Sequence, residues 1–220
     1  MSTEGRPTSR RPLKSRSTAW AKAASEWLVR RGVRPNAISF ASVIFAAAGS
    51  MAFVAVSQAW FPAPVCWLAA AACIQLRLIC NLMDGMVAVE GHRLSPTGEL
   101  WNEIPDRFAD VFLLLGAGFA AGVPWLGAAT AFGALLTAYL RALGASLTGE
   151  QDFRGPMAKP QRMAVLTFAS LLSLLDPFWL QGRGAVMHVA LWVIVAGLVP
   201  TCWRRMAGLA ARLNESGRKP

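Results

Sequence analysis

The run from Asn81 to Asp110, NLMDGMVAVEGHRLSPTGELWNEIPDRFAD, decides how the whole chain is read. It sets acids and carboxamides into a sequence that is otherwise apolar. Of 220 residues, 55% are hydrophobic, and the mean hydropathy is +0.41. Charged and carboxamide groups are costly near hydrocarbon, so where they persist they generally bind an ion or a substrate. Here they recur with helical spacing: Asn81 and Asp84 are three apart, Asn102 and Asp106 four apart, and Asp110 is four further on. Residues three or four apart share one helix face. Two helices facing each other through these stripes collect several oxygen donors in one pocket.

Outward from that run, the sequence predicts an all-α integral membrane protein with six transmembrane helices. The apolar segments are Asn36–Ser57, Pro64–Val89, Glu99–Ala121, Pro124–Leu147, Pro160–Leu175 and Gly184–Arg204, several bounded by Pro or Gly as helix ends are. The fifth is short for a span of about 20 residues. Ahead of them, Thr18–Arg31 sets Trp20, Ala23, Ala24, Trp27 and Leu28 on one side and Lys22, Glu26 and Arg30 elsewhere. That pattern fits a short amphipathic helix lying in the membrane interface. One membrane domain, residues 18–213, is expected between a disordered basic tail (1–17) and a disordered C-terminal tail (214–220). The Arg-, Ser- and Pro-rich N-terminus lacks the apolar core and cleavage site of a signal peptide.

The net charge of +10 invites a nucleic-acid reading, but the placement of the charges argues against one. Nine of the 22 Lys and Arg residues precede Pro35 and five follow Cys202, flanking apolar runs rather than forming a basic domain. Basic ends beside anionic lipid account for them. Loops near Gln58–Phe61 and Gly122–Pro124 are uncharged, and Asp176–Arg183 carries one Arg. The opposite loops hold nearly all the Lys and Arg, which places both termini and the acid-rich helix ends in the cytoplasm, with a bacterial inner membrane as the expected setting. Trp60, Trp67, Trp101, Trp179 and Trp203 near span ends suggest an aromatic belt. Cys66, Cys73, Cys80 and Cys202 contain no CxxC and are expected to be packing thiols. His92 and His188 are expected to be structural.

Written by spacing, the central run is Asn81-x2-Asp84-Gly85-x2-Ala88-Val89-x8-Gly98-x3-Asn102-x3-Asp106. It resembles the signature of the CDP-alcohol phosphatidyltransferases, D-x2-D-G-x2-A-R-x8-G-x3-D-x3-D. Asp84, Gly85, Ala88, Gly98 and Asp106 match, and every interval matches. Three positions depart: Asn81 and Asn102 stand where the family has Asp, and Val89 where it has Arg. The resemblance implies transfer of a phosphatidyl group from a CDP-linked lipid such as CDP-diacylglycerol to an alcohol, with release of CMP. It further implies Mg²⁺ or Mn²⁺ held at positions 81, 84, 102 and 106, Asp106 as general base, and a homodimer. Gly85, Ala88 and Gly98 lack bulk, so a nucleotide pyrophosphate can approach the backbone there.

The two carboxamides keep oxygen donors but remove two charges, and carboxylate charge drives much of the affinity for hard cations. Either one of the family's two ions is weak or absent, or Glu99, Glu103 or Asp110 makes up the charge. A second polar cluster holds Arg141, Lys159 and Arg162. Lys159 and Arg162 open toward the cytoplasm on this topology, and they either bind a phosphate of nucleotide or acceptor or supply ordinary positive-inside charge. Arg77 either replaces the charge lost at Val89 or pairs with Asp84. Arg107 and Asp110, three apart, fit an internal ion pair. Pro105 either kinks its helix or marks the helix start. A catalytically decayed lipid-nucleotide binder is the alternative function. A transporter fits less well, because the polar groups gather at one face rather than at the midplane.

Overall fold

The structure is a computed structural model that describes residues 17–93, 95–175 and 184–216. The expected N-terminal tail up to Arg16, the Asp176–Arg183 loop with Trp179, and residues 217–220 lie outside the described residues.

Within them the chain forms seven α-helices and no strand: α1 (Ala19–Arg30), α2 (Pro35–Gln58), α3 (Ala63–Glu90), α4 (Gly98–Ala120), α5 (Pro124–Thr148), α6 (Lys159–Leu172) and α7 (Ala185–Ser216), with a 3₁₀ turn at Ser173–Leu175. Proline opens several of them. Pro35 and Pro124 are first residues and Pro160 a second, positions whose missing N–H has no intrahelical partner to lose. Four helices, α2, α3, α5 and α7, are long and apolar enough to cross a membrane. The last helix runs through Ser216, past Arg204 and into the expected C-terminal tail.

Small residues set how closely the helices approach. Along α2, Ser39, Ser42, Ala46, Gly49 and Phe53 form one buried stripe, which lies between α3 and α4. A Cβ on Gly49 would stand 2.9 Å from Leu113 Cδ2 and 3.0 Å from Cys73 Cβ. One on Gly116 would stand 2.8 Å from the Cα of Ser50. Without a hydrophobic force between helices in lipid, such close packing is what holds them together. Phe53 packs edge-on against Trp67 at 5.9 Å between ring centroids. Trp67 is therefore a core residue, 3% exposed, and does not join a belt, whereas Trp60, Trp101 and Trp203 are exposed. All four cysteines are free thiols.

The α1 helix docks through Ala21, Ala24, Leu28 and Val29 onto Ile38, Leu82, Met83, Met86 and Val87. Its expected apolar side is thus split, because Trp20 and Trp27 point outward and are half exposed. Arg93, after α3, donates from Nη1 to the carbonyls of Gly32 at 2.9 Å and Val33 at 3.0 Å. That contact ties the α3–α4 loop to the α1–α2 turn and gathers both at one end of the bundle.

Candidate active site

The signature run bends around this end: its first half closes α3 and its second half opens α4. Asp84 is 4% exposed and accepts hydrogen bonds from Ser39 Oγ at 2.8 Å and from the Gly85 amide at 2.6 Å. Asn81, one turn earlier, accepts from Ser42 Oγ at 3.4 Å. Both hydroxyls come from α2, which contributes nothing to the signature. Their role was missed in the sequence, and the only trace of it is their place on the small-residue stripe.

Asp106 sits on the facing stripe of α4, close enough to Asp84 that the two carboxylates act on each other electrostatically, with Lys159 acting on both. Lys159 Nζ donates to Asp106 Oδ2 at 2.5 Å, and Arg77 Nη2 lies 3.5 Å from Oδ1. Beneath them, Asp110 accepts from Arg77 Nη2 at 2.6 Å and from Arg162 Nη2 at 2.8 Å. Arg162 also donates to the Met157 carbonyl at 3.0 Å. Carboxylates buried this deeply need paired, hydrogen-bonded cations, because an isolated buried charge is prohibitive. The pairing is incomplete at the guanidinium edges: Arg77 Nε and Nη1 and Arg162 Nε have no hydrogen-bond partner among the described residues.

Several expectations change accordingly. Arg77 pairs with Asp110 and Asp106, not with Asp84. Arg107 does not pair with Asp110; it bonds Glu103 Oε2 at 3.0 Å, one turn back. Arg162 does not open to the cytoplasm: at 2% exposure it is sealed against Asp110, since the start of α6 packs toward the bundle interior. Lys159 faces Asp106 rather than bulk solvent. Arg141 reaches Glu103 Oε2 at 2.6 Å and Gln151 Oε1 at 3.2 Å. Pro105 lies inside α4 rather than at its start, so the bond to the Trp101 carbonyl one turn earlier is missing beside the pocket.

Of the remaining expected site residues, Asn102 is exposed at the rim, Gly98 and Ala88 are half-buried, and the Glu99 side chain lies outside the described residues. A Cβ on Gly98 would meet only Ser95 Oγ, at 3.5 Å, so its backbone stays approachable. Val89 is exposed and leaves the pocket without a cation at that position. His92 adopts φ 49° in the turn after α3, and His188 Nε2 accepts from Trp192 Nε1 at 3.1 Å. Neither is placed to join the site chemistry. An apolar cleft of about 390 Å³ between α5 and α7, lined by Gly133, Leu136, Leu140, Leu198 and Trp203 among others, contains no signature residue.

The loop between α5 and α6 closes one flank. Arg154 grips Asp152 at 2.7–3.1 Å, and that hydrogen bonding holds the Asp152 carboxyl below the usual carboxylate range. Arg205, from α7, donates to the Arg154 carbonyl at 3.0 Å and to the Thr137 carbonyl at 2.5 Å. Gly155, at φ 125°, lies against Thr201, which in turn accepts from the Met157 amide at 3.0 Å.

The donors fit a hard divalent cation. Asp84 and Asp106 offer carboxylate oxygens and Asn81 and Asn102 carboxamide oxygens, a set that suits Mg²⁺ or Mn²⁺. No group of three His, Cys, Asp or Glu residues occurs among the described residues, so the carboxamides are needed to complete a shell.

No protein-family model matches the chain. It is 30% identical over 196 residues to the archaetidylinositol phosphate synthase of Aeropyrum pernix, a match covering 89% of this chain and 92% of that protein. It is 24% identical over 177 residues to the inner membrane protein YnbA of Escherichia coli, covering 77% and 84% respectively. The fold is that of the phosphatidylinositol phosphate synthase PgsA1 of Mycobacterium tuberculosis. Its complex with manganese and citrate gives a TM-score of 0.69 at 15% identity over 86% of this chain and 88% of that one. Its complex with CDP-DAG gives 0.68 at 16% identity over 86% and 92%. Fold and site together define an all-helical integral membrane protein with a charged pocket at one end. This chain belongs to the CDP-alcohol phosphatidyltransferase family.

Proposed function

We propose that the protein transfers a phosphatidyl group from a CDP-linked lipid, such as CDP-diacylglycerol, to an alcohol acceptor and releases CMP, in phospholipid biosynthesis. The observation that supports this is the burial of Asp84, held by Ser39, and Asp106, held by Lys159, on the two helices that share the signature, in the family's order and spacing.

The acceptor oxygen forms a bond to the lipid-side phosphorus, the bond from that phosphorus to the CMP oxygen breaks, and the acceptor proton goes to Asp106. Asp106 Oδ2 is engaged by Lys159 and Oδ1 lies 3.5 Å from Arg77; Oδ1 is the less closely held of the two and takes the proton. Lys159 holds the carboxylate in place. Asp84 is fixed by Ser39 at one oxygen and by the Gly85 amide at the other. Gly85, Ala88 and Gly98 leave room for the nucleotide pyrophosphate along the helix backbones. Asp84, Asp106 and the oxygens of Asn81 and Asn102 would hold Mg²⁺ or Mn²⁺, which would supply charge screening for the pyrophosphate. Arg141 stands at the rim with its partner Glu103 and serves an anionic group of acceptor or nucleotide, while Arg162 acts through Asp110. The step is dominated by positioning and charge stabilisation.

The setting follows the same reading. α4, 23 residues and about 35 Å long, and α6 with its 3₁₀ turn complete six spans, and α1 lies in the interface with Trp20 and Trp27 in lipid. Residues 18–213 make one membrane domain. The basic loops put both termini and the site on the cytoplasmic side of an inner membrane, and the protein works as a homodimer.

The test is purified protein incubated with CDP-diacylglycerol, Mg²⁺ or Mn²⁺ and a panel of alcohols, with products identified by mass. An inositol phosphate heads the panel, because the A. pernix relative carries that name and the run Asp106-Arg107-Phe108-Ala109-Asp110 resembles that branch. CMP release with a new phosphatidyl lipid supports the transferase. Retained CDP-lipid binding with no CMP release points instead to a decayed binder, a reading favoured by the carboxamides at 81 and 102.

A further inference from the structure

We propose that the site holds one divalent cation, and that the Lys159 ammonium takes the electrostatic place of a second. The inference rests on the transferase reading for the purpose of the site, but its evidence is the charge arrangement in the pocket.

Where the family signature has two carboxylates this chain has the carboxamides Asn81 and Asn102, a difference of two charges, equal to the charge of one divalent ion. The remaining carboxylates, Asp84, Asp106 and Asp110, face Lys159, Arg77 and Arg162, and Arg107 Nη2 lies 3.9 Å from Asp106 Oδ2 as well. That cluster carries no net negative charge before any metal arrives. A first divalent ion is favoured at Asp84, whose hydrogen bonds come from a hydroxyl and an amide, neither of them charged. A second ion would have to be added on the Asp106 side, where Oδ2 already carries the Lys159 ammonium and Oδ1, the oxygen left to a single shared ion, has Arg77 3.5 Å away. Like charges at that separation repel strongly in a pocket screened from water. Lys159 is also well anchored, as the first residue of α6, with its side chain 22% exposed. A fixed ammonium beside a carboxylate does part of what a metal does: it neutralises the oxygen and attracts the phosphate oxygens that approach it.

The experiment is a Mn²⁺ titration of the purified full-length protein in detergent, without CDP-lipid, read by calorimetry and by the electron paramagnetic resonance of bound Mn²⁺. Wild type is expected to bind one Mn²⁺ per chain with no dipolar coupling. Lys159→Gln is expected to bind Mn²⁺ at least about tenfold tighter, the effect of removing a like charge within a few ångströms, and Lys159→Arg to leave the stoichiometry at one. The triple variant Asn81→Asp, Asn102→Asp, Lys159→Gln is expected to bind two ions with a coupled spectrum. Zero or two ions on wild type overturns the proposal, and this arm needs no variant to fold. Unchanged affinity in Lys159→Gln, or one ion in the folded triple variant, overturns the part given to Lys159. A protein that binds one Mn²⁺ but releases no CMP keeps the ion count and loses the transferase; CMP release with two bound ions does the reverse.

Discussion

Arg77 and Asp110, 33 residues apart in sequence, meet at 2.6 Å inside the bundle with side-chain exposures of 0% and 3%. The same guanidinium lies 3.5 Å from Asp106. One buried cation thus links a structural acid to the acid given the catalytic role, and Arg162 braces the first from the other side.

Removing that structural acid leaves two guanidinium groups buried without a carboxylate. Asp110→Ala is expected to cost about 3–5 kcal/mol, seen as a large fall in thermal midpoint in detergent. Replacing the whole trio with apolar groups of similar size (Arg77→Met, Asp110→Leu, Arg162→Met) is expected to recover most of the stability while activity stays low, because Asp106 loses its neighbour.

Asp106→Asn keeps the shape of the side chain and removes its capacity to take a proton. CMP release from CDP-diacylglycerol is expected to fall by about 10²–10⁴-fold, measured by chromatography of the nucleotide. Turnover equal to wild type would remove Asp106 from the mechanism.

Ser39→Ala deletes the 2.8 Å bond to Asp84 without touching the signature. Partners that orient a metal ligand typically contribute about 10–100-fold to affinity. Mn²⁺ binding is therefore expected to weaken by that order, with the thermal midpoint nearly unchanged.

These tests also mark what the sequence could and could not reveal. The helix start at Pro124 was readable, and that at Pro35 to within one residue, because proline acts locally. The partners of Arg77, Arg107 and Arg162 were not readable. Each had an acid within a turn or two along its own or a neighbouring segment, and which one it meets is settled by how α3, α4 and α6 pack. Periodicity alone put Trp67 at a span end, whereas packing against Phe53 buries it. Lys159 and Arg162 looked alike by position, yet one faces Asp106 at the pocket and the other is sealed beneath it.

Helix approach offers a steric test. Gly116→Val places a branched side chain where even a Cβ would stand 2.8 Å from Ser50 Cα. Overpacking of this kind costs about 1–3 kcal/mol. Because α2 must move to relieve it, CMP release is expected to fall more than stability does, read by comparing kcat with the thermal midpoint.

The Asp152–Arg154 clasp carries a pH signature. With its carboxyl held below the ordinary value by the Arg154 hydrogen bonds, Asp152 contributes stability above about pH 3.9 that is lost as pH falls through the lowered folded value. Hydrogen exchange in the α5–α6 loop is expected to rise on acidification through that window, and Asp152→Asn to flatten the dependence.

Ser39 and Ser42 have a consequence for engineering. Since α2 supplies the hydroxyls that orient the α3 donors, grafting the signature hairpin alone onto another scaffold would transplant ligands without their alignment. The smallest portable unit therefore includes α2, and α6 with Lys159 and Arg162 as well, so segments outside the motif are the ones that aim it.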